Sequence, residues 1–305
     1  MSDPRLNGYI SYGPEANCTL SVCPIEASVY QYRPSLPANI IFLVIFFLLG
    51  LAHLIRGLRW RKEWSFTLFM ILGCISEVLG YVGRLLLWQN PFSFTGFMMQ
   101  ICLITFAPVF YCAAIYVLLS RVVRHLDVGL SRFAPRWWYA IFIPADLVSL
   151  VLQAAGGAMS STSSGSNSVG VDISVAGLSF QVVTLFVFSV ACGDYAVRYN
   201  RKHGMRDLSK AFKIFAGFLA AAIILIFIRC AYRIEELRLG YRSDLITNEG
   251  LFIALEGVMI VLAAAALLVA HPGPAFAGQE RVVEQGQVEK ALESSRDEEQ
   301  GVRRT

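Results

Sequence analysis

Residues 36–62 read LPANIIFLVIFFLLGLAHLIRGLRWRK: twenty residues without Asp, Glu, Lys or Arg, then four basic residues within seven positions. A helix needs about 20 mainly apolar residues to cross the hydrocarbon core of a bilayer, so this stretch predicts a transmembrane helix that ends at the membrane surface. Six more stretches have the same apolar character: Phe66–Leu87, Gly96–Leu119, Trp137–Met159, Ile173–Cys192, Ala211–Ala231 and Asn248–Ala270. The sequence therefore predicts an all-α integral membrane protein, a bundle of seven transmembrane helices.

The composition also indicates a membrane protein. Of 305 residues, 56% are hydrophobic and only 16% are charged, which leaves too little polar surface to solvate a globule of this size in water. The seven stretches are apolar nearly all round, whereas a helix of a soluble domain has an apolar stripe on one face.

Basic residues alternate between the connections and predict the orientation of the bundle. The first, third and fifth connections contain thirteen Lys and Arg residues, and the second and fourth contain none. Because cytoplasmic loops are enriched in Lys and Arg, these three connections are predicted to lie in the cytoplasm, with the N-terminus outside and the C-terminus in the cytosol. The net charge of +4 reflects this bias, so no nucleic-acid partner is predicted.

The chain divides into three predicted parts. Residues 1–35 form an extracellular N-terminal segment, residues 36–271 the transmembrane domain, and residues 272–305 a disordered, charged cytosolic tail, with a membrane-lying amphipathic helix at Glu280–Leu292 as the alternative. The Ser- and Gly-rich fourth connection, Ser160–Asp172, is predicted to be a flexible outer loop.

The N-terminal segment contains two features typical of the secretory pathway. Asn17-Cys18-Thr19 is an N-glycosylation sequon. Cys18 and Cys23 lie in the same outer segment, where a disulfide is permitted but is not required by the sequence. The five other cysteines fall within the spans and are interpreted as core packing residues.

Polar residues inside the spans are the candidates for function, because ionisable groups in hydrocarbon are costly and normally face the interior of a bundle. The alternative is an internal clamp, in which paired charges fix the helix register and do nothing else. Helical spacing places several of the candidates on common faces, such as Glu77 with Arg84 and Glu249 with Glu256. The candidates are Glu77, Arg84, Gln100, Asp146, Gln153, Gln181, Arg229, Tyr232, Arg233, Glu236, Glu249 and Glu256.

The alternating directions of the helices predict where these residues meet. Glu77 and Glu256 fall near the midplane, Asp146 lies nearer the cytoplasm, and most of the others fall in the outer half. This convergence predicts a cavity that opens toward the outer face or outer leaflet, with carboxylates at its floor. Such a floor suits a cation, or a proton exchanged for one. Pro108 and Pro144 are expected to kink their helices and free backbone carbonyls.

Several classes of protein are excluded by missing motifs. The sequence contains no Walker-type phosphate loop and no HExxH, CxxC or GxSxG motif, so it predicts neither an ATP-driven pump nor an enzyme, and no metal or cofactor. The seventh span has no lysine for a retinal Schiff base. The third and seventh spans also lack the motifs of G-protein-coupled receptors.

Six helices contribute pieces that resemble the fungal aminosterol-resistance family, also called the lipid-translocating exporters. The pieces are YRPSLPAN at residues 32–39, EVLGYVGR at 77–84, AP at 107–108, AAIY at 113–116, the Asp146, Ser149, Gln153 and Gly156-Gly157 series, RCAYRIEE at 229–236 and HPG at 271–273. In the seventh span the expected family pattern of Glu, aromatic and Asp is replaced by Glu249, Ile253 and Glu256.

The resemblance implies a multi-pass protein of the plasma membrane of a fungus. Its implied function is to move cationic amphiphiles, such as sphingoid long-chain bases or amine-bearing sterols and drugs, toward the outer leaflet, and so to confer resistance to them. Glu77 and Glu256 would bind the amine, and Arg84, Arg229 and Arg233 would hold those carboxylates. The expected partners are this lipid ligand and the bilayer. The alternative is a seven-helix lipid receptor or membrane-stress sensor, distinct from G-protein-coupled receptors, that binds the same ligands without moving them.

Overall fold

The computed structural model describes residues 8–11, 13–162, 168–204, 208–238 and 247–277, and within these residues it contains helices and no strand. Seven helices are long and apolar enough to cross a membrane, which confirms the predicted number of spans. The first six are α1 (Leu36–Arg59), α2 (Trp64–Gln89), α3 (Phe94–His125), α4 (Phe142–Thr162), α5 (Ser168–His203) and α6 (Lys210–Arg238). The last, α7, joins Glu249–Leu251, Phe252–Val258 and Met259–Val269.

Consecutive helices alternate in direction, so the bundle has two distinct ends. We call the end at which α1, α3, α5 and α7 begin the N-terminal end. Large apolar side chains such as Phe47, Ile55 and Val151 are exposed on the outer surface of the bundle, where they fit contact with lipid. In the interior, Tyr116, Phe142 and Phe188 form an aromatic cluster.

Glycines bring two pairs of helices into close contact. A Cβ atom on Gly83 of α2 would lie 2.8 Å from the backbone nitrogen of Gln100 and 2.9 Å from the carbonyl oxygen of Gly96, both on α3. A Cβ atom on Gly156 of α4 would lie 2.5 Å from the carbonyl oxygen of Gly170 on α5. Small residues at such crossings let helix backbones approach closely in a membrane.

Pro108 and Pro144, which were expected to kink their helices, each remove one backbone hydrogen bond. Pro108 lies inside α3 and, lacking an N–H, leaves the carbonyl of Ile104 without its helical donor. Before α4, a one-turn helix at Trp137–Ala140 is separated from Phe142–Thr162 by Ile141. Pro144 cannot donate to the carbonyl of Ala140, which accounts for an interruption at this point.

The fourth connection is shorter than predicted. Ser160–Asp172 was expected to be a flexible loop, but α4 continues to Thr162 and α5 begins at Ser168, and the residues between them lie outside the described ranges. The prediction of a loop was therefore wrong for both ends of this segment, because the close glycine packing of α4 and α5 supports helix despite the Ser and Gly content. After a break at Ala270 and His271, residues 272–277 are again helical. The predicted tail from Gly278 to Thr305 lies outside the described residues.

At the other end of the bundle, Asp127 ties the connection after α3 to the end of α5. Its carboxylate accepts a hydrogen bond from Lys202 Nζ at 2.8 Å and lies 3.2 Å from His203 Nε2. These donors, with the backbone N–H of Gly129, hold the pKa of Asp127 at about 2. Asp127 is therefore ionised throughout the neutral range and keeps its contacts with Lys202 and His203.

The N-terminal segment folds over the N-terminal end of the bundle. Cys18 and Cys23 form a disulfide in this segment, which packs against Phe92 at the α2–α3 turn. Tyr30 is buried against Leu87 and Phe97. The segment thus covers the ends of α2 and α3.

Candidate functional site

A cleft opens on the side of the bundle near its N-terminal end, between α3, α4, α5 and α6. Its cavity volume is about 40 Å³, so it is a narrow cleft. Phe97, Ile101 and Phe106 of α3 line it together with Leu178 of α5 and Leu237 of α6. These walls are apolar, and the opening faces the surface that would contact lipid.

Polar groups lie at the inner side of this cleft. Thr105, Gln153, Ser174 and Arg233 line it, and all four are largely buried. Gln153 Nε2 donates to Ser149 Oγ at 2.7 Å and to Gln181 Oε1 at 3.0 Å, whereas its own Oε1 has no hydrogen-bond partner within the described residues. The cleft therefore combines long apolar walls with unsatisfied polar atoms, an arrangement that suits an amphiphile.

Arg233 connects the cleft with the charges inside the bundle. Its Nη1 donates to Glu236 Oε2 at 2.5 Å and lies 3.7 Å from Glu256 Oε1. The side chains of Arg233 and Glu236 are 8% and 5% exposed, so this pair is shielded from water and from salt.

The central ion pair joins α6 to α7. Arg229 Nε donates to Glu256 Oε2 at 2.9 Å, and Nη2 lies 2.7 Å from the same oxygen. Arg229 Nη2 also donates at 2.9 Å to the carbonyl of Ile104, the carbonyl that Pro108 leaves without its helical donor. Arg229 thereby links α3, α6 and α7 through one guanidinium.

Glu256 lies in an unusual stretch of α7. Residues Phe252–Val258 form a π-helix, a rare widened geometry that recurs at functional sites. Glu249 and Glu256 were placed on one face by their spacing of seven residues, which holds for a regular α-helix. In the structure Glu249 contacts Arg84 and Glu256 contacts Arg229, and the π segment lies between the two glutamates.

Glu249 belongs to a second cluster at the N-terminal end. Arg84 Nε donates to Asn39 Oδ1 at 2.8 Å, and Arg84 Nη2 lies 3.4 Å from Glu249 Oε1. The Arg84 guanidinium also lies 3.8 Å from the centroid of the Phe252 ring, a cation–π contact. Glu249 Oε1 further accepts the backbone N–H of Ser35 at 2.6 Å. This cluster anchors the start of α1 to α2 and α7.

Two tyrosines of the N-terminal segment complete that cluster. Arg84 Nη2 donates to the Tyr32 hydroxyl at 3.3 Å, and Gln100 Nε2 donates to the Tyr30 hydroxyl at 2.9 Å. Burial raises the pKa of the Tyr32 phenol above its ordinary value, so Tyr32 is neutral and can accept the hydrogen bond from Arg84. These residues were not among the predicted site residues. Tyr30 and Tyr32 were assigned to the outer segment, and Asn39 lies in the first predicted span but was not among the candidates.

Glu77 and Asp146 have no cation partner within the described residues. Glu77 is 1% exposed, and its Oε1 has no hydrogen-bond partner; Arg229 and Glu256 are the charged groups within electrostatic range. Asp146 accepts a hydrogen bond from the Tyr116 hydroxyl at 2.9 Å and is also 1% exposed. The two carboxyls are in different places, Glu77 near the central ion pair and Asp146 against α3.

The sequence-predicted residues thus form three groups instead of one cavity. Arg84, Gln100 and Glu249 form the group at the N-terminal end, and Gln153 and Gln181 form the group between α4 and α5. Glu77, Arg229, Arg233, Glu236 and Glu256 form the central group, while Asp146 is separate and Tyr232 lies partly exposed on α6. Of these residues, only Gln153 and Arg233 line the cleft. Among the described residues, no His, Cys, Asp and Glu side chains group in a way that could hold a metal ion.

Comparison with known proteins assigns the chain to a family. A family model described as "RTA1 like protein" matches residues 70–279. The chain is 32% identical over 283 residues to the sphingoid long-chain base transporter RSB1 of Saccharomyces cerevisiae (strain Lalvin EC1118 / Prise de mousse), covering 81% of this chain and 74% of that protein. This chain belongs to the RTA1-like family.

Two further relatives of the RTA1-like protein come from Saccharomyces cerevisiae. Protein RTM1 is 28% identical, with 70% of each chain covered. Protoporphyrin uptake protein 1 (strain ATCC 204508 / S288c) is 26% identical, with 77% of this chain and 88% of that protein covered. No solved structure gives a significant match. The seven apolar helices and the names of two relatives, which describe a transporter and an uptake protein, identify the RTA1-like protein as a multi-pass membrane protein.

Proposed function

We propose that this RTA1-like protein is a lipid transporter of the plasma membrane that moves cationic amphiphiles toward the outer leaflet. Sphingoid long-chain bases are the first candidates, because a relative that aligns over most of this chain is named for their transport. Amine-bearing sterols and drugs share the combination of a cationic head and a large apolar body. Moving them outward would make a cell resistant to them.

The lateral cleft is the observation that carries this proposal. In this proposal the cleft widens as the ligand enters. The alkyl chain would then lie against Phe97, Ile101 and Leu178, and a headgroup with hydroxyl and amine donors would meet acceptors at the inner side. Gln153 Oε1 is one such acceptor without a partner within the described residues. The Glu236 carboxylate does not line the cleft, but it is paired with Arg233, which does. It is a second group that an entering ammonium would approach.

The cleft proposal predicts the effect of filling the space. A Cβ atom on Gly157, which lines the cleft, would meet nothing within 4 Å, so Gly157→Phe places a ring in the cleft without a backbone clash. We expect translocation of a fluorescent sphingoid base in proteoliposomes to fall at least about tenfold, because about 1.4 kcal/mol of lost binding already has that effect. The matched control is Gly193→Phe on α5, which also meets nothing within 4 Å and lies away from the cleft.

The outcome of this experiment distinguishes the candidate functions. Translocation that is lost in Gly157→Phe and kept in Gly193→Phe supports a transporter with its site in the cleft. Equal transport by both variants would contradict the cleft as the site. Saturable binding to the purified protein without translocation would favour the lipid receptor or membrane-stress sensor.

The proposed direction of transport depends on an N-terminus outside the cytoplasm. Asn17 is exposed, and its Oδ1 accepts the N–H of Ile10 at 2.7 Å, which leaves the amide nitrogen available for a glycan. The sequence contains no other Asn-X-Ser/Thr sequon. We expect the protein expressed in a eukaryotic cell to shift in gel mobility on endoglycosidase treatment, and Asn17→Gln to abolish the shift. A shift retained in Asn17→Gln would contradict this glycan assignment, and accessibility of a tag at the N-terminus only after permeabilisation would contradict the orientation.

A further inference from the structure

In the central and N-terminal groups, one carboxyl has no arginine partner. Within the described residues, Arg84 pairs with Glu249, Arg229 with Glu256, and Arg233 with Glu236. Glu77 lies in the same interior, 1% exposed, without a basic residue of its own. Each arginine is therefore already matched by a glutamate, and Glu77 is the additional acidic group.

An ionised Glu77 would be an uncompensated charge in a place that excludes water. Removing a carboxylate from water costs several kcal/mol even after the protein relaxes, unless a cation and hydrogen bonds replace the water. Glu77 Oε1 has no such partner within the described residues. A protonated carboxylic acid avoids this cost, since it is neutral.

The groups around Glu77 support a neutral acid in the empty protein. Its own helix α2 contributes Cys74 and Tyr81, α3 contributes Tyr111, and α6 and α7 contribute Arg229 and Glu256. On the remaining side, α1 contributes the rings of Phe42 and Phe46 stacked on Tyr81. The one positive charge among these groups is that of Arg229, and Glu256 neutralises it.

We propose that Glu77 is a proton-binding site and that the amine-bearing ligand is exchanged for its proton. The inference rests on the proposed transport function and specifies how transport is driven. When an ammonium enters, the O–H bond of the Glu77 carboxylic acid breaks, the proton leaves to water, and the carboxylate pairs with the ammonium. One positive charge enters the interior and one leaves, so its net charge is unchanged and no redox partner is needed.

Residues of one turn of α3 contact both the cleft and the central ion pair. Cys102 and Thr105 of α3 line the cleft, while the carbonyl of Ile104, on the same turn, accepts Arg229 Nη2. Because Pro108 removes the helical donor to Ile104, this turn lacks one of the hydrogen bonds that hold the rest of α3. One turn of α3, held in part by Arg229, therefore lies between the cleft and the Arg229–Glu256 pair.

Arg229 provides a group that can respond to loss of the proton. Its Nη1 has no hydrogen-bond partner within the described residues, and neither does Glu77 Oε1. Once Glu77 is ionised, Coulomb attraction between these two groups rises. Arg229 can then share its charge between Glu256 and Glu77, which helps to compensate the Glu77 carboxylate while it pairs with the ammonium.

Proton release on binding tests this inference directly. Calorimetric titration of the full-length protein in detergent with a soluble, short-chain sphingoid base, in two buffers of different ionisation enthalpy, measures the protons released. We expect about one proton per ligand from the wild type and none from Glu77→Gln, by proton linkage. The control is Glu63→Gln, which removes a carboxylate paired with Arg121 at the other end of the bundle and should release the same number of protons as the wild type.

A second measurement does not depend on the ligand. The infrared spectrum of the empty protein should show a carboxylic-acid C=O band in the wild type that is smaller in Glu77→Gln. Identical bands in the two proteins, or binding without a difference in proton release, would overturn the role of Glu77 and leave the transport function in place. Absence of binding and of translocation in the wild type would instead overturn the transport function, and the proton exchange with it.

Discussion

Arg229→Met is expected to lower the free energy of unfolding by about 3–5 kcal/mol, the cost of leaving one member of a buried ion pair without its partner. Glu256 would remain in the interior with no adjacent cation except Arg233, whose Nη1 is 3.7 Å away and already paired with Glu236. The Ile104 carbonyl would lose the donor that replaces the N–H missing at Pro108. Thermal unfolding of the detergent-solubilised protein, followed by fluorescence-detected size exclusion, measures the loss.

Two further variants test whether the loss of stability comes from the buried ion pair or from removing any arginine. Arg238 lies on the same helix in an exposed pair with Glu235, with side chains 69% and 55% exposed, so Arg238→Met should change stability by at most about 1 kcal/mol. Because a buried pair can often be replaced by apolar residues at little cost, Arg229→Met combined with Glu256→Met should recover part of the loss. An Arg229→Met protein as stable as Arg238→Met would contradict the structure at this pair.

The sequence was sufficient to predict the spans, because length and apolar content alone decide whether a helix can cross a bilayer. It also predicted that Pro108 frees a carbonyl, since the missing N–H is a property of proline itself. That Arg229 would donate to this carbonyl could not be predicted, because the two residues are distant in the chain and the rotation of α6 against α3 depends on packing.

The sequence placed Glu249 and Glu256 on one helical face but could not predict the helix geometry between them. Spacing arguments assume a regular helix, and the π segment at Phe252–Val258 breaks that assumption between the two residues. A π-helix has no simple sequence signature, because it is stabilised by tertiary contacts such as the approach of the Phe42 ring to Gly257. The result is two separate clusters where the sequence predicted one face.

The cleft could be predicted only in outline. Convergence of polar residues in one half of the bundle was visible in the sequence, and Gln153 and Arg233 do line the cleft. Its walls come from ordinary apolar residues such as Ile101 and Leu178, which nothing in the sequence distinguishes from core or lipid-facing positions. The contact of Tyr32 in the N-terminal segment with Arg84 could likewise not be predicted from the polar residues inside the spans.

Gly83→Leu is expected to prevent α2 and α3 from packing and to lower the free energy of unfolding by about 3 kcal/mol or more. The atoms that a Cβ would meet, Gln100 N at 2.8 Å and Gly96 O at 2.9 Å, belong to the backbone, so no side chain can rotate away and the helices must separate. That separation would also disturb the Arg84 cluster, one residue further along α2. We expect little monodisperse protein on size exclusion after expression at the wild-type level.

Alanine variants show whether this loss of stability comes from the close approach of the helices or from replacing any helical glycine. Alanine is a better helix former than glycine by about 1 kcal/mol in a helix interior, so Gly217→Ala on α6, where a Cβ meets nothing within 4 Å, should be neutral or slightly stabilising. Gly83→Ala should destabilise by about 1–3 kcal/mol despite the same gain in propensity, because even one methyl group overlaps the backbone of α3. If Gly83→Ala lowers the free energy of unfolding while Gly217→Ala raises it, the α2–α3 contact is demonstrated. Equal stabilisation by both variants would rule out the close approach at Gly83.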